Sequence, residues 1–183
     1  CIQTCPTGAL MPKNDMPELL KNLKNKTCIA LVAPAVRVTI GEEFNKKYGS
    51  FEEKKLVGIL KKMGFDYVFD VTYGADLTTI EESYELIERI KNNKNLPLIS
   101  SFCPSSVLYI EKYYPELIKN LSSCKSPILM IATIIRNYFV SKKHLDDVYI
   151  VAVVPCTSKK YEIKRKELMG YCNLAITTRE LID

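Results

Sequence analysis

The chain has 183 residues, of which 47% are hydrophobic and 26% are charged, and its formal net charge is +5. This composition excludes a disordered chain, and the length suits one domain with a sizeable core plus part of another. The lysines are scattered along helix-like segments instead of clustering with aromatic residues, so we expect no nucleic-acid partner. No apolar run reaches the roughly 18 residues that a membrane span requires, so we expect no membrane partner either.

Seven cysteines are spread through the chain, an odd number at irregular spacings. The sequence opens on Cys1 without the basic and apolar segments of a secretory signal peptide. In proteins without a secretory signal, cysteines more often bind metal or take part in redox chemistry than form disulfides. We therefore expect a cytoplasmic protein, and the three Cys–Pro-type elements Cys5-Pro6, Cys103-Pro104 and Pro155-Cys156 favour iron and sulfide as what the cysteines bind.

The first two cysteines have a diagnostic spacing. Cys1-x3-Cys5-Pro6 matches the second half of the ligand run of bacterial ferredoxins, whose thiolates hold a [4Fe–4S] cluster. Such a cluster needs four ligands, so this run cannot complete a site by itself, and two free cysteines are the alternative. Residues 1–11 are predicted to end a ferredoxin-type domain, and residues 12–26 are predicted to form a linker helix.

From residue 27 onward, short apolar runs alternate with longer helical patterns. Strands are predicted over residues 28–36, 67–71, 96–101 and 148–154. Helices are predicted over residues 42–48, 51–63, 76–91, 105–121 and 127–142, and a further element is expected to begin at residue 175. Caps are predicted at Asp76 with Thr78 or Thr79, and at Ser126. This alternation predicts an α/β fold, a parallel sheet with flanking helices.

Several predicted strands end in segments that could carry chemistry. Parallel sheets bind ligands beyond the carboxyl ends of their strands. The segments at those ends are Ala33-Pro34-Ala35, Ser101 to Pro104 and Pro155-Cys156. This topology predicts that Cys103 and Cys156 share one site, although buried structural cysteines are the alternative.

Lys159 and Glu162 follow Cys156 on one face of a predicted helical segment. A lysine in this position could lower the pKa of the thiol or bind an anionic ligand. The simpler interpretation is an ordinary ion pair on the protein surface.

A row of charged residues lies on one face of the helix predicted over residues 76–91. Glu82, Glu85 and Arg89 recur at helical spacing. If buried, such carboxylates could relay protons, whereas an exposed row would be only a solvated acidic face. Elsewhere, His144 is predicted at the surface and Cys28 in the core, and Cys172 has no assigned role.

Taken together, these motifs resemble the catalytic domain of [FeFe]-hydrogenases along nearly the whole chain. The landmarks are residues 5–10, 33–37, 74–78, 100–104, 121–127 and 155–159. The resemblance implies an α/β fold of two lobes, of which this chain would hold the first and the start of the second. It also implies reversible reduction of protons to H2, with ferredoxin or another electron carrier as partner.

That family binds a [4Fe–4S] cubane bridged to a diiron subcluster with carbonyl and cyanide ligands, the H-cluster, through four cysteines. The resemblance implies that Cys103 and Cys156 are the first two of these metal ligands. It also implies that Lys159 donates to an iron-bound cyanide, and that Ala33, Pro34 and Ala35 line the pocket. The positions that match the family's proton path are Glu82, Glu85, Arg89, Ser122 and Glu162.

The sequence also departs from the family pattern. The motif that supplies the other two cluster cysteines is absent, and Phe102 stands where the family has the thiol that passes protons to the diiron bridge. Smaller departures are Ser105-Ser106 for Gly-Trp, Ile128 for glutamine and Val154 for methionine. A phenylalanine cannot transfer a proton, so we expect a divergent member that is slow or sensory.

Three functions therefore stay open: a divergent hydrogenase, a non-catalytic relative in hydrogen sensing or iron–sulfur assembly, and a remnant without a complete cluster. Residues 27–183 are predicted as a hydrogenase-like domain that is incomplete at its C-terminal end. The chain as given is expected to make no hydrogen. The strand over residues 148–154 is expected to form an open sheet edge that promotes aggregation.

Overall fold

The computed structural model describes residues 5–11 and 13–182 of the chain. The strands are β1 (Thr27–Val32), β2 (Tyr67–Asp70), β3 (Val148–Val154) and β4 (Leu174–Thr177). The helices up to residue 91 are α1 (Met16–Leu23), α2 (Val36–Thr39), α3 (Glu53–Met63) and α4 (Thr72–Lys91). They are followed by α5 (Pro104–Tyr113), α6 (Pro127–Ile134), α7 (Val140–Lys143), α8 (Ser158–Glu162) and α9 (Thr178–Ile182).

The strands form a single parallel sheet in the order β2-β1-β3-β4. In β1, Ile29 lies opposite Tyr67 of β2, and Cys28 lies opposite Tyr149 of β3. Strands that are buried on both faces of a parallel sheet read as continuous apolar runs, as β1 and β3 do. The predicted α/β fold with a parallel sheet and flanking helices is confirmed.

The position of β3 corrects the prediction that residues 148–154 form an open sheet edge. β4 covers that side of β3, with Val153 opposite Ile176. The sequence indicated only a further element from residue 175, because β4 has just four residues before it runs into α9. Among the described strands the edges are β2 and β4, both short, and short edge strands limit pairing with other chains.

The strand predicted over residues 96–101 does not exist. Only Ile99 makes an isolated bridge, in which its N–H donates to Asn120 O at 2.8 Å and its carbonyl accepts from Ser122 N at 2.7 Å. Pro97 has no N–H to donate to a strand ladder, which explains why this apolar run stays outside the sheet. Through Ile99, the run instead pairs with residues 120–122, in the segment that leads to α6.

The helix predicted to begin at Asp76 begins one turn earlier, at Thr72. The carboxylate of Asp70 accepts a hydrogen bond from the N–H of Thr72 at 2.7 Å. Thr78 and Thr79 do not cap the helix, since their hydroxyls donate back to the carbonyls one turn earlier.

Gly74 in the first turn of α4 allows close contact with α6. A Cβ at this position would lie 2.2 Å from the carbonyl oxygen of Pro127. Ser126 precedes α6 as predicted, but its hydroxyl makes no capping hydrogen bond.

Other helical predictions are correct in kind but not in length. The linker helix predicted over residues 12–26 is reduced to α1, and residues 42–48 give way to a 3-10 segment, Ile40–Phe44. The helix predicted over residues 105–121 ends at Tyr113, and a 3-10 segment, Pro115–Asn120, follows. The helix predicted over 127–142 is continuous but contains a π-helical turn, Ile135–Phe139.

The core lies along β1 and β3, where residues such as Ile29, Leu31, Ile150 and Val151 are fully buried. Cys28 is buried among them, as predicted, and His144 is exposed, as predicted. Within the part of the chain that the structure describes, no helix combines the length and apolarity needed to cross a membrane.

Candidate functional site

Two loops that carry cysteines meet at the carboxyl edge of the sheet. Cys156 follows β3 after a single proline, and Cys103 directly precedes α5. Both cysteines are exposed and free. The hydroxyls of Ser105 and Ser158, next to these cysteines, lie 2.5 Å apart and join the two loops. The structure thus brings together the two loops that carry Cys103 and Cys156, although the strand predicted before Cys103 is absent.

The surroundings of Cys103 favour its thiolate form. Hydrogen bonds from the side chain and the backbone N–H of Ser106 lower the pKa of Cys103, and the positive charge of Lys159 lowers it further. The thiolate is the form of cysteine that binds metal. Ser106, which departs from the family pattern, therefore has a direct electrostatic effect on the candidate ligand.

Lys159 lies between the two cysteine loops. Its ammonium group donates to the carbonyl oxygen of Phe102 at 2.7 Å and to Oε2 of Glu162 at 2.9 Å. The Glu162 side chain is only 4% exposed and that of Lys159 15% exposed, so this is not an ordinary surface pair. The contact holds a positive charge beside the backbone that leads into Cys103.

Ala33, Pro34 and Ala35 adjoin the same edge, because β1 and β3 are neighbours. Ala33 is buried and its N–H donates to the carbonyl oxygen of Val153 at 2.9 Å. Pro34 and Ala35 are exposed immediately beyond it. This segment gives the edge a small, apolar surface next to the Pro155-Cys156 turn.

The carboxylates of α4 are arranged as a network and not as a solvated acidic face. Glu85 accepts hydrogen bonds from Arg89 at 2.5 Å, from Ser122 Oγ at 3.0 Å and from Ser123 N at 3.1 Å. Burial raises the pKa of Glu85, but the hydrogen bonds from Arg89 and the two serines outweigh it and lower the pKa overall. Glu82 accepts from Ser100 Oγ at 2.8 Å.

Cys124 also belongs to this network, although the sequence analysis assigned it no role. Its Sγ lies 3.8 Å from Oε2 of Glu85. Burial raises the pKa of Cys124, so the thiol stays protonated and can donate to the carboxylate. The polar cluster Ser122-Ser123-Cys124 before α6 was the signal in the sequence. We refer to Glu85, Arg89, Ser122, Ser123 and Cys124 as the relay cluster.

An open cavity of about 240 Å³ borders the serines and Cys124 of the relay cluster and the start of α5. Its lining includes Ser101, Pro104, Ser122, Cys124 and Glu162. The cavity wall therefore combines residues from the loop before α6, from the segment around Cys103 and from α8. Phe102 is 49% exposed on the same loop.

The remaining described cysteines differ from this pair. Burial raises the pKa of Cys28 to about 11 and that of Cys172 to about 12, so both are poor metal ligands. A hydrogen bond with the Thr7 side chain lowers the pKa of Cys5 to about 7. Cys1, the other predicted ligand of the N-terminal run, lies outside the described residues.

Within residues 5–11 and 13–182, no group of three or more His, Cys, Asp or Glu residues forms a metal site. The described residues therefore contain no such cluster of ligands around Cys103 and Cys156.

The fold and the site define an α/β domain with a thiol-bearing sheet edge. Residues 26–183 match a family model described as iron only hydrogenase large subunit, C-terminal domain. The chain belongs to this family.

Individual relatives support the same assignment. The chain is 43% identical to iron hydrogenase 1 of Clostridium pasteurianum, over 96% of this chain and 32% of that protein. It is 40% identical to the periplasmic [Fe] hydrogenase large subunit of Nitratidesulfovibrio vulgaris, over 91% of this chain and 42% of that protein. A cytosolic Fe-S cluster assembly factor of Meyerozyma guilliermondii is 30% identical, over 97% of this chain and 36% of that protein.

Solved structures give the same result for the fold. An apo [FeFe]-hydrogenase from Chlamydomonas reinhardtii superposes with a TM-score of 0.86 at 36% identity, over 93% of this chain and 47% of that one. The chain thus spans about a third of the iron hydrogenase 1 sequence and about half of this solved chain.

Proposed function

We propose that this chain forms part of an iron–sulfur oxidoreductase of the [FeFe]-hydrogenase type. Its reaction would be the reversible reduction of protons to H2, with ferredoxin or another electron carrier as partner. The observation that carries the proposal is the meeting of the Cys103 and Cys156 loops at the carboxyl edge, joined by the Ser105–Ser158 contact.

Cys103 and Cys156 would be two of the four thiolates that hold a [4Fe–4S] cluster. Their exposure, and the lowered pKa of Cys103, fit thiolate ligation of iron. When bound, the cluster and its diiron subcluster would combine two protons and two electrons into H2. Lys159 would place its ammonium group against the anionic side of this cofactor, and Ala33, Pro34 and Ala35 would line the pocket.

The relay cluster would move protons towards that edge. Glu85 accepts at Oε2 from Ser122 Oγ and from Cys124 Sγ, which would link its carboxylate by hydrogen bonds to groups with exchangeable protons. Arg89 keeps the Glu85 carboxylate charged at rest. Glu82 lies one turn earlier on α4 and accepts from Ser100, two residues before Phe102. Glu162 borders the cavity on its other side.

The experiment is to prepare the whole protein, mature it with the diiron subcluster, and measure H2 production and infrared bands of carbonyl and cyanide. Glu85→Gln should lower turnover by about 10²–10⁴-fold, as expected for a lost proton-transfer group. Glu88→Gln is the matched control, because Glu88 lies one turn further along α4, is exposed, and pairs only with Lys91. Equal turnover of the two variants would contradict the proposed role of Glu85.

A second candidate is a non-catalytic role, in hydrogen sensing or in iron–sulfur assembly. The observation that favours it is Phe102, whose ring cannot carry a proton to the cofactor. Retention of iron without carbonyl and cyanide bands would favour this candidate. Failure to retain iron would contradict both candidates.

Phe102→Cys separates the two candidates further, with Phe102→Ala as a control for the loss of the ring. A catalytic chain should gain turnover only with the thiol, because only cysteine adds a proton donor. Gain in both variants would instead show that the ring acts by obstructing the site.

The N-terminal run and the cellular location stay predictions. Residues 1–11 are proposed to end a ferredoxin-type domain with Cys1 and Cys5 as ligands, and residues 12–26 to link it to the domain that begins at residue 27. A cytoplasmic location is proposed for this chain, although one relative is named as periplasmic.

A further inference from the structure

A second ionic cluster lies on the other side of α8, and the proposed reaction does not use it. Lys160, the neighbour of Lys159, turns away from the cysteine edge. Its ammonium group donates to Asp15 Oδ2 at 2.8 Å, to Glu180 Oε1 at 2.6 Å and to the carbonyl oxygen of Lys13 at 2.7 Å. We refer to Lys160, Asp15 and Glu180 as the Lys160 clamp.

The Lys160 clamp is closed to solvent. The side chains of Asp15, Lys160 and Glu180 are 3%, 11% and 10% exposed. Such ions persist in the interior only when they are paired and hydrogen-bonded. The three donor contacts of Lys160 meet that requirement.

Further contacts surround the two carboxylates, although Asp15 Oδ1 has an ion pair and no hydrogen bond. Lys13 Nζ approaches the other oxygen of Asp15 at 2.5 Å. The N–H of Asp15 donates to Glu180 Oε1 at 2.8 Å, and Thr177 donates to Glu180 Oε2 through its N–H and its hydroxyl. Thr177 and Glu180 form a capping box at the start of α9.

These contacts join three parts of the chain that are distant in sequence. Asp15 stands where the N-terminal cysteine segment enters α1, Lys160 lies on the helix that follows Cys156, and Glu180 lies beyond β4. Short α1 alone could not fix the direction of that segment, since isolated helices of this length are unstable. The clamp supplies the missing constraint.

We propose that Lys160 is a positioning residue that anchors Lys13 and Asp15, where the chain enters α1, against the helix beside Cys156. If the preceding segment with Cys5 holds an iron–sulfur cluster, this docking would fix the place where that segment leaves the domain relative to the cofactor edge. This consequence rests on the proposed function, whereas the docking itself does not.

The first measurement is backbone hydrogen–deuterium exchange by mass spectrometry on the whole protein, with and without its clusters. Lys160→Met should raise exchange at the N–H of Asp15 by about 100-fold, because removing one partner leaves two buried carboxylates uncompensated. Exchange should rise in residues 5–15 and also in residues 156–164. Unchanged exchange in residues 5–15 would overturn the proposal.

The matched control is Lys26→Met. Lys26 also joins the N-terminal part of the chain to the main domain, through Asp147 at 2.9 Å, but at the opposite end of the sheet and with more exposure. It should leave exchange in residues 13–15 and 156–164 at the wild-type rate. An equal rise in the exchange of residues 5–15 in both variants would show that any lost ion pair destabilises this part of the chain, and it would overturn the proposal.

A second pair of variants keeps the test valid if Lys160→Met does not fold. Asp15→Asn and Glu180→Gln keep side-chain size and an acceptor for Lys160 but remove one charge each. Both should raise exchange in residues 5–15 by less than Lys160→Met while circular dichroism stays unchanged. Wild-type protection in both would overturn the proposal.

The second measurement separates positioning from mere stability. Isotope exchange between D2 and H2O takes place at the cofactor without net electron delivery, whereas H2 production from reduced ferredoxin needs it. Asp15→Asn should lower ferredoxin-driven production several-fold and leave isotope exchange unchanged. An equal loss of both activities would mean a purely structural role and would overturn the positioning role. If neither activity is present even in the wild type, the proposed function fails, and the backbone exchange alone decides the docking.

Discussion

The relay cluster and the Lys160 clamp are both built around one cation shared among several acceptors, yet they differ in access. Glu85 in the relay cluster contacts hydroxyls and a thiol on the wall of an open cavity. The Asp15 carboxylate contacts only lysine ammonium groups, Glu180 also accepts from two backbone N–H groups and the Thr177 hydroxyl, and the two side chains are 3% and 10% exposed. A network that is proposed to move protons needs neighbours that can rotate and exchange a proton, whereas a network that fixes geometry needs paired, buried charges.

The largest expected effect is the loss of the clamp cation. Lys160→Met should lower the free energy of unfolding by about 3–5 kcal/mol, the cost of removing one partner from a buried ion pair. Chemical denaturation followed by circular dichroism measures this loss. A change below 1 kcal/mol would mean that the clamp is hydrated in solution and does not differ from a surface pair.

Arg89→Lys should remove hydrogen bonds from the relay cluster, with a smaller loss in the free energy of unfolding than Lys160→Met causes. Arg89 donates to Glu85 and to the carbonyl oxygens of Asn95, Asn120 and Leu121, and a lysine cannot reach all of them. We expect a loss of about 1–3 kcal/mol in the free energy of unfolding, from acceptors left without donors. The same denaturation experiment tests it, and full retention of stability would contradict the geometry.

The pH dependence of stability should report both clusters together. Burial raises the pKa of Asp15 and of Glu180, but hydrogen bonds led by Lys13 for Asp15 and by Lys160 for Glu180 lower both pKa values overall, as Arg89 does for Glu85. Because the folded pKa values lie below the unfolded ones, their contribution is present above about pH 4.5 and is lost as the pH falls. Denaturation midpoints between pH 6 and pH 3 test this, and stability that rises on acidification would contradict it.

Ser122→Ala should lower proton-dependent turnover more strongly than it lowers the free energy of unfolding. The hydroxyl of Ser122 donates to Glu85, so its loss should cost about 1 kcal/mol in the free energy of unfolding. Proton-dependent turnover of the matured protein should fall by a larger factor than the stability loss explains. Ser83→Ala is a control on the helix that carries Glu85, since that exposed hydroxyl donates to the backbone carbonyl of Thr79.

The smallest expected effect is at Lys26. Its ion pair with Asp147 is exposed, and exposed pairs contribute about 0–1 kcal/mol. Lys26→Met should therefore change the denaturation midpoint little. A loss as large as that of Lys160→Met would remove the contrast between a buried clamp and a surface pair.

The sequence by itself determined the α/β class and the contact between Glu85 and Arg89. The runs in β1 and β3 are apolar because both faces of a parallel strand are buried, so composition alone reveals them. Cys156 could be placed at the carboxyl edge because it follows β3, but the strand assumed before Cys103 does not exist, so the meeting of the two loops was predicted from a premise that is half wrong. The helical spacing of Glu85 and Arg89 likewise predicted their contact.

Only the tertiary structure decided which apolar runs join the sheet and which charges are buried. The run over residues 96–101 has the composition of a strand, but Pro97 and its pairing with residues 120–122 keep it outside. Lys159 and Lys160 are chemically identical neighbours, and one faces the cysteine edge while the other closes the clamp. The local sequence pattern sets the helix face on which Lys160 lies. Its partners Asp15 and Glu180 are distant in the chain, and only folding brings them to that face.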